Sequence, residues 1–303
     1  MTIGIDLGGT KIEAVALDAS GAEIFRERMA TPRHDYAATI TAVAALAARA
    51  GASLAKGQAR QTGVGVAIPG TVSRVTGLIK NANSTWLNGK PLQSDLETAL
   101  GRKVALANDA NCFVLSEATD GAAAGAGTVF GVIAGTGVGG GVAVNGKVLQ
   151  GAHGMAGEWG HNPLPRMSVE EMAEAPECWC GKRGCIESWI SGPAMAADYE
   201  RHSGKRLNAE HIALSQDPGA RTAMTRFTER FARALALVVN ILDPDVIVLG
   251  GGLSNIESLY RELPPLVERY AFNCEAPPLI IKNRHGDSSG VRGAAWLAPG
   301  CAP

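Results

Sequence analysis

The sequence predicts an α/β protein of two lobes, and three observations support this prediction. The chain has 303 residues, of which 46% are hydrophobic, enough to bury two substantial cores. A pattern of short alternating strands occurs at the start of the chain and returns from Thr128. After each of these meanders, helical stretches alternate with short apolar strands, as they do in α/β folds.

The first meander consists of alternating apolar runs on either side of a glycine turn. Its parts are Ile3, Ile5 and Leu7, the turn Gly8-Gly9-Thr10, a second run from Ile12 to Leu17 and a third from Ala22. A helix is predicted near 36–50 and a strand near 64–68. The second meander repeats this plan with Val129 to Ile133, the turn Gly135-Thr136-Gly137, Gly141 to Val144, the hairpin turn Asn145-Gly146 and Lys147 to Leu149. The chain therefore uses one motif twice.

A long helix is predicted towards the end of the second half. Apolar residues recur there at intervals of three and four, namely Phe227, Phe231, Leu235, Val238 and Leu242. Asp243-Pro244 ends this helix, and the continuous apolar run 246–249 is typical of a strand buried on both faces. That strand leads into Gly250-Gly251-Gly252.

The lobe boundary is predicted near 120–127, where a Gly/Ala-rich segment follows a helix that begins at Ala110. This division gives an N-terminal lobe of residues 1–120 and a C-terminal lobe of residues 121–289, which carries the cysteine-rich segment 158–187. A last helix is predicted over 289–297. If it packs on the first lobe, residues 290–303 complete that lobe.

Composition and charge argue against several classes of function. The formal net charge is −1 and the pI is near 6.6, and the basic residues are scattered, so we expect no nucleic-acid partner. The start of the chain lacks the basic and apolar regions of a signal peptide, and the apolar runs are too short to span a bilayer. We therefore expect a soluble cytoplasmic protein with no membrane contact.

The segment from Glu158 to Glu187 is the most informative part of the chain. It contains His161, Cys178, Cys180 and Cys185, which form a complete set of one nitrogen and three sulfur ligands for tetrahedral zinc. Such a set leaves no open position for a substrate water, so we predict a structural metal rather than a catalytic one. The metal would pin the loop between the two glutamates and hold their carboxylates in place.

The alternative interpretation of these cysteines is a disulfide or a group of unrelated buried thiols. A bond between Cys178 and Cys180 would close a very tight ring with poor geometry. The chain also carries no signal for an oxidising compartment, so zinc is favoured. The other cysteines, Cys112, Cys274 and Cys301, are interpreted as ordinary small apolar residues.

Three glycine turns are candidates for binding a nucleotide. Backbone N–H groups in such turns can approach phosphate oxygens closely because no Cβ intervenes. The candidates are Gly8-Gly9-Thr10-Lys11, Gly135-Thr136-Gly137 and Gly250-Gly251-Gly252. Asp6 precedes the first turn and is a candidate ligand for Mg²⁺, directly or through water, and Lys11 is a candidate phosphate contact. The alternatives are ordinary hairpin turns, a strand-end carboxylate and a solvated lysine.

Asp109 is the candidate general base. A buried strand, 104–107, runs directly into Asn108-Asp109 at the predicted start of a helix. A carboxylate at this corner can accept the proton of an acceptor hydroxyl in phosphoryl transfer. Because Asn and Asp are also preferred helix N-caps, both residues have a purely structural alternative.

The loop 81–88, Asn-Ala-Asn-Ser-Thr-Trp-Leu-Asn, is a candidate sugar-binding segment. Its amides and hydroxyls can pair with sugar hydroxyls, and an aromatic face can cover the C–H side of a sugar ring. The alternative is a polar turn in which Trp86 serves as a buried anchor.

Taken together, these motifs resemble those of the ROK sugar kinases over nearly the full length of the chain. The resemblance rests on Asp6-Leu-Gly-Gly-Thr-Lys11, Asn108-Asp-Ala-Asn111, Gly135-Thr-Gly137, Glu158-Trp-Gly-His161, Cys178-x-Cys180-Gly-x-x-Gly-Cys185-x-Glu187 and Gly250-Gly-Gly252. It implies a two-lobed, actin-like (ribonuclease H-like) fold with duplicated βββαβαβα lobes. It also implies that MgATP and a hexose meet in the cleft.

The resemblance further implies roles for individual residues. Asp109 would be the base toward the 6-hydroxyl of the sugar. The sugar contacts would be Asn83, Asn108, Asp109, Glu158, His161 and Glu187. His161 and the three cysteines would hold structural zinc, and one ring nitrogen of His161 can face the metal while the other faces a sugar hydroxyl.

Within the family, three stretches look most like those of bacterial fructokinases that also accept mannose, namely 81–88, 158–165 and 285–292. We therefore predict an ATP-dependent fructokinase that forms the 6-phosphate, with N-acetylglucosamine kinase or glucokinase as the alternatives. A homodimer is expected by analogy with the family. A sugar-responsive regulator is a more distant alternative, opposed by the missing basic charge and by a first glycine turn that leaves no room for a helix-turn-helix. A zinc hydrolase is opposed by the closed ligand set.

Overall fold

The structure is a computed structural model that describes residues 1–54 and 62–299. The strands are β1 (Thr2–Leu7), β2 (Lys11–Leu17), β3 (Glu23–Ala30), β4 (Gly63–Ile68), β5 (Thr71–Val72), β6 (Ile79–Lys80), β7 (Val104–Asn108), β8 (Thr128–Ala134), β9 (Val138–Val144), β10 (Lys147–Val148), β11 (Val246–Gly250) and β12 (Ile280–Lys282). The helices are α1 (Tyr36–Ala52), α2 (Leu92–Leu100), α3 (Asp109–Thr119), α4 (Val169–Ala173), α5 (Glu187–Ile190), α6 (Gly192–Ser203), α7 (Ala209–Leu214), α8 (Pro218–Leu242), α9 (Ser258–Tyr270) and α10 (Ser289–Leu297).

Two five-stranded sheets are built on the same plan. In the first, of order β3-β2-β1-β4-β7, the first three strands form an antiparallel meander, and β4 and β7 run parallel to β1. In the second, of order β10-β9-β8-β11-β12, β9 and β10 are antiparallel, and β11 is parallel to both β8 and β12. In each half, three strands are followed by alternating helices and strands, so the predicted duplicated α/β motif is confirmed.

The contacts between residues divide the chain into two compact units. The first unit comprises residues 1–125, 141–156 and 287–303, and the second comprises 126–140 and 157–286. The predicted division, 1–120 with 290–303 against 121–289, differs from this one mainly in the segment 141–156. Residues 300–303, among them Cys301, lie outside the described part of the chain.

Long-range contacts explain why the segment 141–156 belongs to the first unit. A Cβ built on Gly141 would lie 2.6 Å from the carbonyl oxygen of Ala110 in α3. Arg74 donates a hydrogen bond of 3.0 Å to the side-chain oxygen of Gln150. Lys80 donates one of 3.1 Å to the carbonyl oxygen of His153.

In the first unit, the sheet is covered on one face by apolar side chains and on the other by α10. Ile3, Ile5 and Leu46 belong to the buried cluster on the α1 side. On the opposite face, a Cβ on Gly4 would lie 2.1 Å from Val291 O, and one on Gly65 would lie 1.9 Å from Ala294 O. Glycine at these two strand positions therefore allows the backbone of α10 to lie directly on β1 and β4.

In the second unit, α8 supplies much of the core through its predicted apolar stripe. Phe227, Phe231, Leu235 and Val238 are buried, and the helix ends at Asp243 in the left-handed conformation (φ 45°). An aromatic cluster joins α8 to Trp159, whose ring centroid lies 5.4 Å from that of Phe130 and 6.4 Å from that of Phe231. This cluster fixes the segment that carries Glu158 and His161.

Within the described residues, the search for a helix long and apolar enough to cross a membrane finds none.

Candidate active site and metal centre

The four predicted metal ligands come together in the second unit. One ligand atom from each of His161, Cys178, Cys180 and Cys185 lies within 4.8 Å of all the others. The distance from Cys178 Sγ to His161 Nδ1 and that from Cys180 Sγ to Cys185 Sγ are both 3.6 Å. Tetrahedral zinc with Zn–S bonds of about 2.3 Å separates two sulfur ligands by roughly 3.8 Å, and a sulfur and a nitrogen by slightly less. The donor set and its spacing therefore fit zinc.

The same distances argue against the disulfide alternative. A disulfide requires a sulfur separation of about 2.05 Å, and the three clustered cysteines are free thiols in this structure. Of the cysteines outside the cluster, Cys112 is buried and Cys274 is half-buried, and both are also free.

Backbone pairing brings the histidine to the cysteines. Pro163 forms an antiparallel bridge with Cys185, and the amide of Ile186 donates to the carbonyl of Asn162 at 2.8 Å. This pairing sets the 3₁₀ turn Trp159–His161 beside the last cysteine. Because Nδ1 of His161 faces the thiols, Nε2 is the ring nitrogen that remains for another partner.

Glu187 is held by two hydrogen bonds at the start of α5. Its Oε2 accepts the amide of Val138 at 2.8 Å, and its Oε1 accepts the indole N–H of Trp179 at 2.6 Å. Val138 directly follows the second glycine turn. The carboxylate of Glu187 thus links that turn to the cysteine-rich loop, while Glu158, at the other end of the loop, is exposed.

Two of the three predicted glycine turns border one cavity in the second unit. The cavity measures about 890 Å³, within the range of small-molecule pockets. Gly135, Thr136 and Gly252 line it. Gly251 has φ 76°, and a Cβ there would lie 2.4 Å from Ala134 O, so only glycine fits where the two turns meet.

The sequence reasoning did not identify the remaining wall of this cavity. It is formed by helix starts and neighbouring residues, among them Gly192, Pro193, Asn208, Leu214 and Ile256. The sequence does contain a pattern that predicts the start of α6, because Ser191-Gly192-Pro193 combines a preferred N-cap residue with a proline in the first turn. The amide of Gly192 donates to the carbonyl of Gly135 at 2.7 Å, which brings α6 against the glycine turn.

In the first unit, Asp6 lies at the edge where the parallel strands end. Asp6 is paired in register with Ala67 of β4, and the next residue of β4, Ile68, is paired with Asn108 of β7. Burial, with repulsion from Asp109 and Glu13, raises the pKa of Asp6 to about 7. A bound cation would favour the ionised form of such a carboxyl group, so Asp6 fits a role in holding Mg²⁺.

The first glycine turn forms a regular hairpin between β1 and β2. The amide of Gly8 donates to the carbonyl of Lys11 at 3.0 Å, and the hydroxyl of Thr31 donates to the carbonyl of Gly8 at 2.7 Å. Thr10 and Lys11 are exposed. The proposed phosphate contact by this turn stays a prediction.

Asn108 and Asp109 have different positions at the start of α3. Asn108 is the N-cap, and its side chain accepts the amide of Ala110 at 2.9 Å and donates to Gly70 O at 3.2 Å. Asp109 is the first residue of the helix and is exposed. The capping alternative therefore holds for Asn108. The side chain of Asp109 accepts the same amide of Ala110, at 2.8 Å, and still reaches the surface.

The loop 81–88 is closed by Asn88, whose side chain accepts the amide of Ala82 and donates to its carbonyl, both at 2.9 Å. Asn83 is exposed, as a sugar contact requires. Trp86 is partly buried and packs against the core of the first unit, so the anchor interpretation fits this residue better than sugar stacking.

Comparison with known proteins finds a matching family model and several similar proteins. A family model described as "ROK family" matches residues 2–300. An N-acetyl-D-glucosamine kinase from Vibrio cholerae is 41% identical over 303 residues, which cover 98% of this chain and 99% of that protein. This relative is named for N-acetyl-D-glucosamine, so the fructokinase prediction is not confirmed, and the N-acetylglucosamine alternative is favoured.

Two solved structures are similar over nearly their whole length. A ROK hexokinase from Thermus thermophilus is 32% identical, with a TM-score of 0.84 and coverage of 98% of this chain and 97% of that one. A ROK family glucokinase from Streptomyces griseus, in complex with glucose and AMPPNP, is 26% identical, with a TM-score of 0.76 and coverage of 98% of each chain. The predicted two-lobed, actin-like α/β fold is confirmed.

Proposed function

We propose, because this chain belongs to the ROK family, that it is a sugar kinase which transfers the γ-phosphoryl group of ATP to the 6-hydroxyl of a hexose. The observation that carries this proposal is the exposed carboxylate of Asp109 on the first turn of α3, beside the strand edge that holds Asp6. Asn108 is the N-cap of α3, and Asp109 also accepts the amide of Ala110, at 2.8 Å, while its side chain remains exposed.

In the proposed reaction, Asp109 acts as the general base. The 6-hydroxyl oxygen attacks the γ-phosphorus, its proton passes to the Asp109 carboxylate, and the bond to the departing ADP oxygen breaks. The sugar contacts assigned to the first unit are Asn83 and Asn108. Those assigned to the second unit are Glu158, His161 and Glu187.

ATP binding is assigned to the glycine turns. Gly135-Thr136-Gly137 and Gly250-Gly251-Gly252 border the 890 Å³ cavity, which has apolar walls suited to a nucleoside. Gly8, Gly9, Thr10 and Lys11 are assigned to phosphate. Asp6 would hold Mg²⁺, which supplies charge neutralisation at the phosphates. The Streptomyces griseus relative, whose structure is a complex with AMPPNP, supports the use of ATP.

The zinc assigned to His161, Cys178, Cys180 and Cys185 would have a structural function. All four positions around the ion would be filled by the protein, so it offers no site for an activated water. It would hold His161 and the loop that ends at Glu187.

For the sugar, the comparisons favour N-acetyl-D-glucosamine, since a relative of 41% identity carries that name. Fructose is the second candidate. The observation that favours it is the loop 81–88, which resembles that of bacterial fructokinases and presents Asn83 on the surface.

The decisive experiment is an ADP-release assay of the purified protein with MgATP and each of four sugars, namely N-acetyl-D-glucosamine, fructose, mannose and glucose. Comparison of kcat/KM identifies the preferred sugar, and NMR of the product identifies the phosphorylated hydroxyl. Asp109→Asn serves as the inactive control. If the wild-type protein releases ADP with none of the four sugars, the kinase proposal is wrong.

Two further features belong to the same proposal. A homodimer is expected by analogy with the family, and light scattering coupled to size-exclusion chromatography measures the mass directly. A cytoplasmic location fits the use of ATP, and the formal charge of −1 disfavours a nucleic-acid partner. Retardation of sheared DNA in a gel would contradict the last point.

A further inference from the structure

Trp179 is an unusually exposed aromatic residue at a constrained position. Its relative exposure is 73%, although large apolar rings are normally buried or half-buried. It lies between Cys178 and Cys180, two of the four candidate metal ligands. With zinc bound to both neighbours, the backbone at Trp179 would have little freedom, so its ring would be presented at low entropic cost.

The indole N–H of Trp179 forms a hydrogen bond with Glu187, one of the residues proposed to contact the sugar. It donates to Glu187 Oε1 at 2.6 Å, while Glu187 Oε2 accepts the amide of Val138 at 2.8 Å. A carboxylate has about four acceptor positions on its two oxygens. The two hydrogen bonds thus fix the orientation of the carboxylate and leave lone pairs for a ligand hydroxyl.

The ring of Trp179 also packs against His161, a second residue proposed to contact the sugar. Its centroid lies 4.9 Å from that of His161, and the two planes meet at 83°. This edge-to-face contact is a favourable arrangement for aromatic pairs. One exposed side chain therefore touches both His161 and Glu187, which are 26 positions apart in the sequence.

We propose that Trp179 is a positioning residue of the sugar site. Its N–H orients Glu187, its edge-to-face contact orients His161, and its exposed surface covers the C–H side of the bound sugar. This inference rests on the proposed sugar-kinase function and deepens it. The chemical class of ligand is a pyranose or furanose ring, because such rings combine hydroxyls for the carboxylate with an apolar face for the indole.

The test compares Trp179→Phe and Trp179→Ala with the wild-type protein. Phenylalanine keeps a ring and loses the N–H donor, whereas alanine loses both. Phe272→Ala is the matched control, because Phe272 is an aromatic residue of the same unit with 88% exposure and no role in the proposed site. Steady-state kinetics are measured with sugar and ATP varied in turn, and zinc content is measured for each variant.

For Trp179→Phe we expect the KM for sugar to rise about tenfold, the effect of losing one charge-assisted hydrogen bond. The KM for ATP should change less than about twofold, and zinc content should stay at the wild-type level. Trp179→Ala should raise the KM for sugar further. Sugar should also change the tryptophan fluorescence of the wild type and of Phe272→Ala, and this change should be lost in both Trp179 variants.

Several outcomes would overturn the inference. An unchanged KM for sugar in both Trp179 variants would show that the indole does not position the site. Loss of zinc from Trp179→Phe would show that the residue acts only on the metal loop. Absence of turnover with any sugar in the wild type would instead refute the proposed function, and the inference with it, so the two failures are distinguishable.

Discussion

Asn108 and Asp109 are adjacent and chemically similar, and the side chain of each accepts the amide of Ala110. The side chain of Asn108 accepts the amide of Ala110 and donates to the carbonyl of Gly70, which ties β7 to the loop after β4. Asp109 is exposed on the first turn. Structural and chemical functions are therefore separable by substitution at neighbouring positions.

Asp109→Asn should lower kcat by about 10²–10⁴-fold, the usual contribution of a general base. Because Asn108 keeps its cap, the melting temperature and the Kd for sugar, measured by calorimetry, should stay close to the wild-type values. Normal turnover in this variant would refute the proposed role.

Asn108→Ala is the complementary variant. Loss of the N-cap should lower the free energy of unfolding by about 1 kcal/mol, which chemical denaturation measures. If Asn108 also contacts the sugar, the Kd for sugar will rise in the same variant. A higher Kd for sugar with an unchanged free energy of unfolding would contradict the capping assignment.

At the residue scale, the sequence predicted the placement of side chains well where residues close together in the chain determine the geometry. The corner after β7 and the clustered cysteines are of this kind. It could not distinguish the cap from the base at Asn108-Asp109, because both residues cap helices equally well. It also could not predict that Glu187 binds Val138, since that contact joins residues 49 positions apart.

Among the elements, the cysteine-rich loop is the one that the proposed zinc would hold. Cys185→Ser should remove zinc and make the segment 158–187 sensitive to limited proteolysis, because the four side chains that converge there would lose their common ligand. Cys274→Ser, at a half-buried thiol outside the cluster, should retain zinc and resist proteolysis. Metal analysis and mass spectrometry of the fragments measure both properties. Full zinc content in Cys185→Ser would refute the assigned ligand set.

The same loop is also tied to α8 by a partly buried network of ion pairs. Glu171 of α4 accepts Arg230 Nε at 2.9 Å and Arg233 Nη2 at 2.7 Å. Arg230 continues to Asp198 of α6 at 2.8 Å, and Arg226 reaches the same carboxylate at 2.6 Å. The network of two carboxylates and three arginines connects α4, α6 and α8.

This network predicts a loss of stability in acid. Burial by itself would raise the pKa of Glu171, but hydrogen bonds from Arg233, Arg230 and Ser168 lower it to about 2. Since the folded-state pKa lies below the unfolded value of 4.5, the stabilisation is complete above pH 4.5 and is lost as the pH falls toward 2. Melting temperatures over this range should show the decline.

Two variants test the origin of the decline. Glu171→Gln should melt lower at pH 7, because it leaves arginines without their partner, and it should lose part of the acid dependence. Glu174→Gln, which removes an exposed ion pair with Arg201, should keep the wild-type profile. Identical profiles for both variants would contradict the assignment to Glu171.

At the element scale, the long α8 was predictable because its apolar pattern extends over several turns. The 25 residues of α8 repeat the apolar spacing often enough to stand out. The short helices α4 and α7 span 5 and 6 residues and are set by local caps at Ser168 and Asn208, which a periodicity argument does not detect.

For the whole molecule, the duplicated plan was readable from the sequence, but the assignment of 141–156 to the first unit was not. That assignment depends on contacts such as Arg74 with Gln150, which are 76 positions apart. The preferred sugar was not predictable either, because the relatives that share these motifs are named for different sugars.

The close approach of α10 to α3 gives a prediction at the same scale. A Cβ on Gly293 would lie 1.6 Å from Cys112 O, whereas one on Gly290 of the same helix would make an ordinary 3.5 Å contact with Asp6. Gly293→Ala should therefore cost about 1–3 kcal/mol or more in unfolding free energy. Gly290→Ala should be close to neutral for stability. Equal denaturation midpoints would contradict the tight packing of α10.

Because α10 covers β1 and β4, the first unit is assembled from both ends of the described chain. At translation rates of about 5–20 residues per second, the ribosome begins α10 roughly 10–45 s after it completes β4, the later of the two strands that α10 covers. The second unit, 126–140 with 157–286, leaves the ribosome in that interval. Until then, the face around Gly4 and Gly65 lacks the helix that covers it in the folded protein.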